Sequence, residues 1–184
     1  MSPALAEAQR SLYGTWRLFL GDANGLIFLE RSIGAFLRSY RAIAVCLVPA
    51  FLTSALFAPS DETVMATGLR GAVTFVLGIA VWPFVTHALA KAGGRQDRTI
   101  PYLIAYNWAP VLLYTAALPL AILASSDAGG LATILVLGLY AASLVFAWQV
   151  ARLALALPPD VAAALVAMDV LMTRLLDRLV GLFI

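Results

Sequence analysis

Residues 100–124 read IPYLIAYNWAPVLLYTAALPLAILA. The run carries no charge and exceeds the roughly 20 apolar residues that a membrane-crossing helix needs. At its middle stand Tyr106, Asn107, Trp108 and Pro110. Lipid tails offer an amide no hydrogen bond, so Asn107 is expected to face protein and bond a neighbouring helix. Pro110 deprives the Tyr106 carbonyl of its helical donor, and Asn107 or a nearby donor is expected to answer it. Two roles fit the stretch: glue between helices, or contact with a ligand.

The rest of the chain extends the same reading. Of 184 residues, 62% are apolar and 12% are charged. That charged share is about half the usual one for a soluble domain, and a chain this short cannot hide so much apolar surface in a single core. Apolar runs recur near 42–58, 68–90, 101–124, 131–151 and 161–184. The separators APSDET, KAGGRQDR, SSDAGG and ALPPD carry turn formers, charges or both. The expected fold is an all-α membrane protein, a bundle of about five transmembrane helices occupying 42–184. The first helices do not read as a cleaved signal, because Arg10 and Arg17 interrupt the apolar stretch.

Residues 1–41 form a different region, basic and amphipathic. Leu5, Leu12, Trp16 and Phe19 fall on one side of a helix, with Arg10, Gly14 and Arg17 opposite. GDANG at 21–25 breaks the chain, and a second amphipathic piece carries Ile33, Phe36, Leu37 and Tyr40. A basic amphipathic helix with aromatics lies flat in a headgroup layer. Arg17, Arg31, Arg38 and Arg41 are the expected contacts to anionic lipid headgroups. The alternative is a helix packed on a partner.

Basic residues cluster before the first span, between the second and third, and at Arg152, whereas Asp61, Glu62 and Asp127 occupy the opposite loops with Arg70. The positive-inside rule then puts the N-terminus of this multi-pass protein in the cytoplasm. Five spans put the C-terminus outside. The last segment is ambiguous: Arg174 and Arg178 either snorkel outward from a span, or the segment lies partly in the inner interface.

Three residues stand out as candidate functional polar groups in the membrane: Asn107, Asp169 and His87. An acid at bilayer depth costs roughly 2.5–3.5 kcal/mol on insertion scales, which makes Asp169 a functional candidate wherever its segment spans. Asp169, Thr173 and Asp177 share one helical face, Arg174 is close enough to pair with Asp177, and Gln149 is a possible partner for Asp169. His87 falls one turn before Lys91 and suits a proton carrier or a structural interfacial residue. Pro49, Pro83, Pro110 and Pro119 interrupt spans, as packing kinks or as the broken helices of a transporter site. Thr74 with Gly78, and Gly138 with Ala142, have the spacing of close helix approach.

Cys46 is the only cysteine, so an internal disulfide is excluded, and no Cys/His metal pattern is present. No phosphate loop, nucleophile elbow or zincin motif occurs. The expectation is a protein with no enzymatic activity, no catalytic residue, no metal and no cofactor. A net charge of +2 also gives no reason to expect nucleic acid as a partner.

The Gly-containing loop KAGGRQDRT followed by YLIAYNWAP resembles bacterial members of the Yip (Ypt/Rab-interacting protein) family of membrane proteins. The matching positions are Gly93, Gly94, Tyr106, Trp108 and Pro110. Leu12-Tyr13-Gly14 stands where the eukaryotic relatives have Asp-Leu-Tyr-Gly-Pro, with Ser11 and Thr15 in place of the flanking Asp and Pro. The resemblance implies a cytosolic N-terminus and five spans, and its eukaryotic members act in vesicle traffic with small GTPases. The leading expectation is therefore a non-enzymatic, membrane-organising or partner-binding protein. It would contact an anionic bilayer and a protein partner or a second copy of itself. The rival is a small transporter or channel subunit that uses polar residues in kinked helices.

Overall fold

A polar backbone in hydrocarbon must satisfy every N–H and C=O within its own segment, and helices do so. The computed structural model describes residues 2–125 and 129–184. Asp127, one of the acids in the orientation argument, lies outside the described residues. The protein is 84% helical, with no strand among the described residues, and is an all-α membrane protein.

Local sequence sets most helix starts. Helix α1 (Pro3–Phe19) begins with Pro3 in its first turn and the Ser2 hydroxyl accepting from the Leu5 N–H at 3.3 Å. Gly21, at φ +84°, turns the chain into a 3₁₀ helix, Ala23–Phe28. Ser32 caps α2 (Ile33–Ser39) and Thr63 caps α4 (Val64–Ala92), each at 3.1 Å. Between them lies α3 (Arg41–Ala55), followed beyond α4 by α5 (Thr99–Ser125), α6 (Gly129–Ala154) and α7 (Pro159–Val180).

Four segments are long and apolar enough to cross a membrane: Ile33–Ala55, Val64–Ala92, Gln96–Ser125 and Ile134–Ala154. The first begins earlier than position 42 because Tyr40 keeps helical geometry and joins α2 to α3. Helix α7 is not among the four, since Asp169, Arg174, Asp177 and Arg178 interrupt its apolar face. It nevertheless runs antiparallel to α4. Val161 and Leu165 share a cavity with Leu89 and Ala90 near one end of the bundle, and Asp177 lies 3.6 Å from Arg70 near the other. We call these the Lys91 end and the Arg70 end. Helix α3 packs on α4 and α5, α5 on α6, and α7 on α4 and α6.

The N-terminal elements join this bundle. Helix α1 packs on α5 and α6, and α2 on α5. Leu18, Leu29 and Ala35 belong to the same buried cluster as Trp82, Tyr102 and Phe146. The inward stripe of α1 is Ser11, Gly14, Thr15 and Leu18. The apolar side read from the sequence divides: Leu12 and Phe19 lean on the core, while Leu5 and Trp16 are exposed. Small residues face inward because they allow backbones to meet. A Cβ on Gly14 would sit 2.7 Å from the Gly25 carbonyl oxygen, and one on Gly25 would collide with the Gly14 carbonyl oxygen.

Close approach in α4 also falls elsewhere than expected. A Cβ on Gly68 would sit 2.5 Å from the Phe51 ring, and one on Gly71 would collide with the Ser54 side chain, so the α3–α4 contact closes there. Gly78 and Gly138 have no such neighbour.

At the Arg70 end, Arg70 donates to Glu62 at 2.8 Å, and Thr67 donates to the same carboxylate at 2.8 Å. Asp177 takes Arg70 as its partner, in place of the Arg174 pairing that spacing suggested. These bonds, from Arg70 first and then Thr67, hold the Glu62 carboxyl below the ordinary glutamate range. A lowered carboxylate pKa contributes stability that is fully present above the unfolded value and disappears as pH falls through the folded value. The wild-type protein in detergent is expected to lose thermal stability as pH drops below about 4. In Glu62→Gln the part of that acid loss due to this carboxylate is absent; an identical acid limb in both proteins would refute the assignment.

Candidate functional site

Helix α5 carries Tyr102, Tyr106, Pro110 and Tyr114 at four-residue spacing, which puts them on one face. All four line a cavity of about 590 Å³ inside the bundle. Opposite them stand Thr74 and Gly78 on α4, Tyr140 and Ser143 on α6, and Asp169, Thr173 and Arg174 on α7. Gly78 is buried, yet no atom lies within 4 Å of where its Cβ would stand, so part of this space lies against α4 there. A second cavity of about 620 Å³ shares Ser54, Phe75, Tyr114, Tyr140 and Arg174 with the first and extends to Phe57, Ala121 and Val136. Together they extend from the level of Tyr102 and Val150, toward the Lys91 end, to that of Phe57 and Ala121, toward the Arg70 end.

Asp169 is half-buried in the wall of the first cavity, hereafter the chamber. The Tyr106 hydroxyl donates to it, at 3.0 Å from Oδ1 and 3.3 Å from Oδ2. Tyr106 is held in turn by aromatic packing: its ring stacks on Trp82 at 5.9 Å and lies 6.0 Å from Tyr102. The Trp82 indole N–H donates to the Tyr102 hydroxyl at 2.9 Å. Both tyrosines and Trp82 are therefore fixed by packing and hydrogen bonds before any ligand arrives. Thr74 is buried, and its Oγ1 has no hydrogen-bond partner among the described residues. A buried hydroxyl without a partner at a cavity wall is a place for a ligand or water to bond.

Asn107, next to Tyr106, points the other way. Its side chain is 1% exposed, and Nδ2 donates to the Ser39 hydroxyl at 2.8 Å, which donates to the Phe36 carbonyl at 2.6 Å. The amide thus ties α5 to α2. It does not answer the Tyr106 carbonyl freed by Pro110, and its Oδ1 has no partner among the described residues. Gln149 sits beside Gly21, with Nε2 3.4 Å from where a Cβ would stand, on the N-terminal side of the bundle and not at Asp169. His87 is exposed on the outer surface of α4, one turn from Lys91, and lines neither polar chamber.

The four arginines read as lipid contacts separate into two pairs. Arg17 Nε donates to Asp22 at 2.7 Å, and its guanidinium lies 5.8 Å and 5.5 Å from the Tyr13 and Phe28 ring centroids. Arg38 bonds Glu7 at 2.8 Å and Glu30 at 3.1 Å. Arg31 and Arg41 are exposed and have no ion-pair partner among the described residues.

Comparison with protein-family models, with curated proteins and with solved structures gives no match. Fold and site together define the class: an α-helical membrane protein with a tyrosine-lined chamber among its helices that carries a few polar groups. Asp169 was legible from its charge. The tyrosines that surround it were missed, although their spacing of four along α5 was the available signal.

Proposed function

We propose that the protein is a non-enzymatic, multi-pass protein of the bacterial inner membrane that binds a small polar ligand inside its helix bundle, as a transporter or channel subunit does. The observation that carries this reading is Asp169, a carboxylate in a cavity wall that accepts its hydrogen bond from a tyrosine hydroxyl rather than from a basic side chain. An acid at such depth is costly unless it serves a ligand or a proton path. The N-terminus is assigned to the cytoplasm. Lys91, Arg95, Arg98 and the N-terminal arginines at one end support that orientation, with Asp61 and Glu62 at the other.

The test is solute flux into vesicles reconstituted with the purified protein. Asp169→Asn keeps the shape and removes the charge, and flux is expected to fall by roughly tenfold or more. Equal flux in both proteins, or none in wild type across a broad panel of charged and zwitterionic solutes, contradicts the reading.

A membrane-organising role of Yip-like type is the second reading. Its support is the exposed apolar set Tyr13, Trp16, Leu20, Ile27, Ile33 and Leu37 beside exposed Arg31 and Arg41 near the Lys91 end. Such a surface suits an anionic leaflet or a protein partner. Arg31→Gln and Arg41→Gln are each expected to weaken binding of anionic lipid to the full-length protein by about 1 kcal/mol, in a salt-sensitive way. Arg17→Gln and Arg38→Gln should act mainly through lost internal ion pairs. Equal anionic-lipid binding by all four variants and wild type argues against the surface.

A further inference from the structure

Two opposite charges line the chamber without using each other. Asp169 accepts from Tyr106, and Arg174 has no carboxylate within ion-pair distance among the described residues. Both belong to the wall of the same cavity, five positions apart on α7, which is about 7.5 Å of helix rise. Five positions also turn about 140° around the helix, so the two charges stand at separate parts of one cavity wall, and a ligand that bridges the cavity can match both. A simple cation would satisfy Asp169 and be repelled by Arg174. A simple anion would do the reverse. A neutral ligand would desolvate the two charges and pair neither.

We propose that the chamber binds a zwitterion carrying an ammonium group a few bonds from a phosphate or carboxylate. This rests on the reading of the chamber as a ligand site. The ammonium end belongs at Asp169, whose carboxylate is held by the Tyr106 hydroxyl in the same wall. The anionic end belongs at Arg174, whose planar guanidinium suits a phosphate or carboxylate. The unpartnered hydroxyl of Thr74 supplies a further polar contact in the same wall. Two sources share this chemistry: a free amino acid or phosphoethanolamine, and the headgroup of phosphatidylethanolamine. The adjoining apolar space at Phe57 and Val136 leaves room for an acyl chain on the second.

The experiment uses the full-length protein in a non-ionic detergent. One arm titrates soluble phosphoethanolamine and glycine by calorimetry. The other compares retention of dioleoyl-phosphatidylethanolamine and dioleoyl-phosphatidylglycerol by native mass spectrometry. Binding in the first arm identifies a free zwitterion as sufficient. Binding in the second arm alone, with the ethanolamine lipid preferred over the glycerol lipid, identifies the headgroup. In either case Asp169→Asn and Arg174→Gln each lower binding by roughly tenfold to a hundredfold, because each removes one end of the match. Arg174 is exposed, so Arg174→Gln should fold even if the Asp169 variant does not. Equal retention of both lipids with no soluble binding, or binding indifferent to both substitutions, overturns the proposal. Ethylammonium and acetate are titrated beside the soluble zwitterions. If ethylammonium binds and Asp169→Asn abolishes it, or acetate binds and Arg174→Gln abolishes it, while no zwitterion binds, the zwitterion is wrong and the ligand chamber stands. If no probe binds, both fall.

Discussion

Truncating Trp82 to alanine is expected to lower stability by about 3 kcal/mol, with a cooperative but clearly earlier thermal transition. Trp82 is 1% exposed and lies where α4, α5 and the N-terminal elements share one core. In a soluble protein the loss would combine transfer from water with a cavity term. Between membrane helices the transfer part shrinks, since lipid tails are as apolar as the core. The cavity and lost dispersion contacts remain, and the Tyr102 hydroxyl loses its indole donor. Tyr106 also loses the ring it stacks on, so its hydroxyl should wander from Asp169. Detergent melting curves check the first effect. Trp82→Phe should recover most of the packing but not the hydrogen bond. A Trp82→Ala protein as stable as wild type would remove the rigid aromatic wall on which the chamber depends.

Gly71→Leu is expected to be worse tolerated. Even the Cβ of alanine at position 71 would strike the Ser54 side chain, and Ser54 is too short to swing away. Helices α3 and α4 would have to separate along their whole contact, at a cost of more than the roughly 1–3 kcal/mol typical of overpacking. Recovery of monodisperse protein after detergent extraction is the measurement, and very little is expected. Gly138→Leu is the matched control, because nothing lies within 4 Å of a Cβ there. Similar yields from the two variants would show that the α3–α4 contact is looser than described.

The contrast between Gly71 and Gly138 also marks where sequence reading stops. Apolar length and turn residues locate α4, α5 and α6 well, whereas the caps Ser2, Ser32 and Thr63 emerge only with the structure. The side of each helix that faces inward is another matter. In water, polarity marks the outside. In lipid, both sides are apolar, so Thr74 with Gly78 and Gly68 with Gly71 look alike until the partner helix is known. One pair opens onto a chamber, and the other closes a contact. Helix α1 teaches the same lesson: its inward stripe is Ser11, Gly14, Thr15 and Leu18, not its most apolar side.

The candidate site was legible in part for the same reason. Asp169 stands out because a charge is rare in such a chain. Its partner Tyr106 is 63 positions away, on a helix whose order in the bundle no spacing rule supplies. Spacing pairs Arg174 with Asp177 and sets Asn107 near the Tyr106 carbonyl, and Gln149 is a possible partner for Asp169 without any spacing argument. Asn107 does bond a neighbouring helix, but the particular partners are set by tertiary packing. Asn107 bonds Ser39, Asp177 takes Arg70, and Gln149 meets the Gly21 turn.

The account turns on α7 crossing alongside α4, because only then does Asp169 lie inside the membrane, in the chamber wall. A pair of sided reporters tests this most directly, one fused after Ile184 and one inserted beside exposed Arg31, read in intact cells. The account predicts opposite sides of the membrane for the two. Both reporters on the same side would contradict it, since α7 would then lie along a surface and Asp169 would face water.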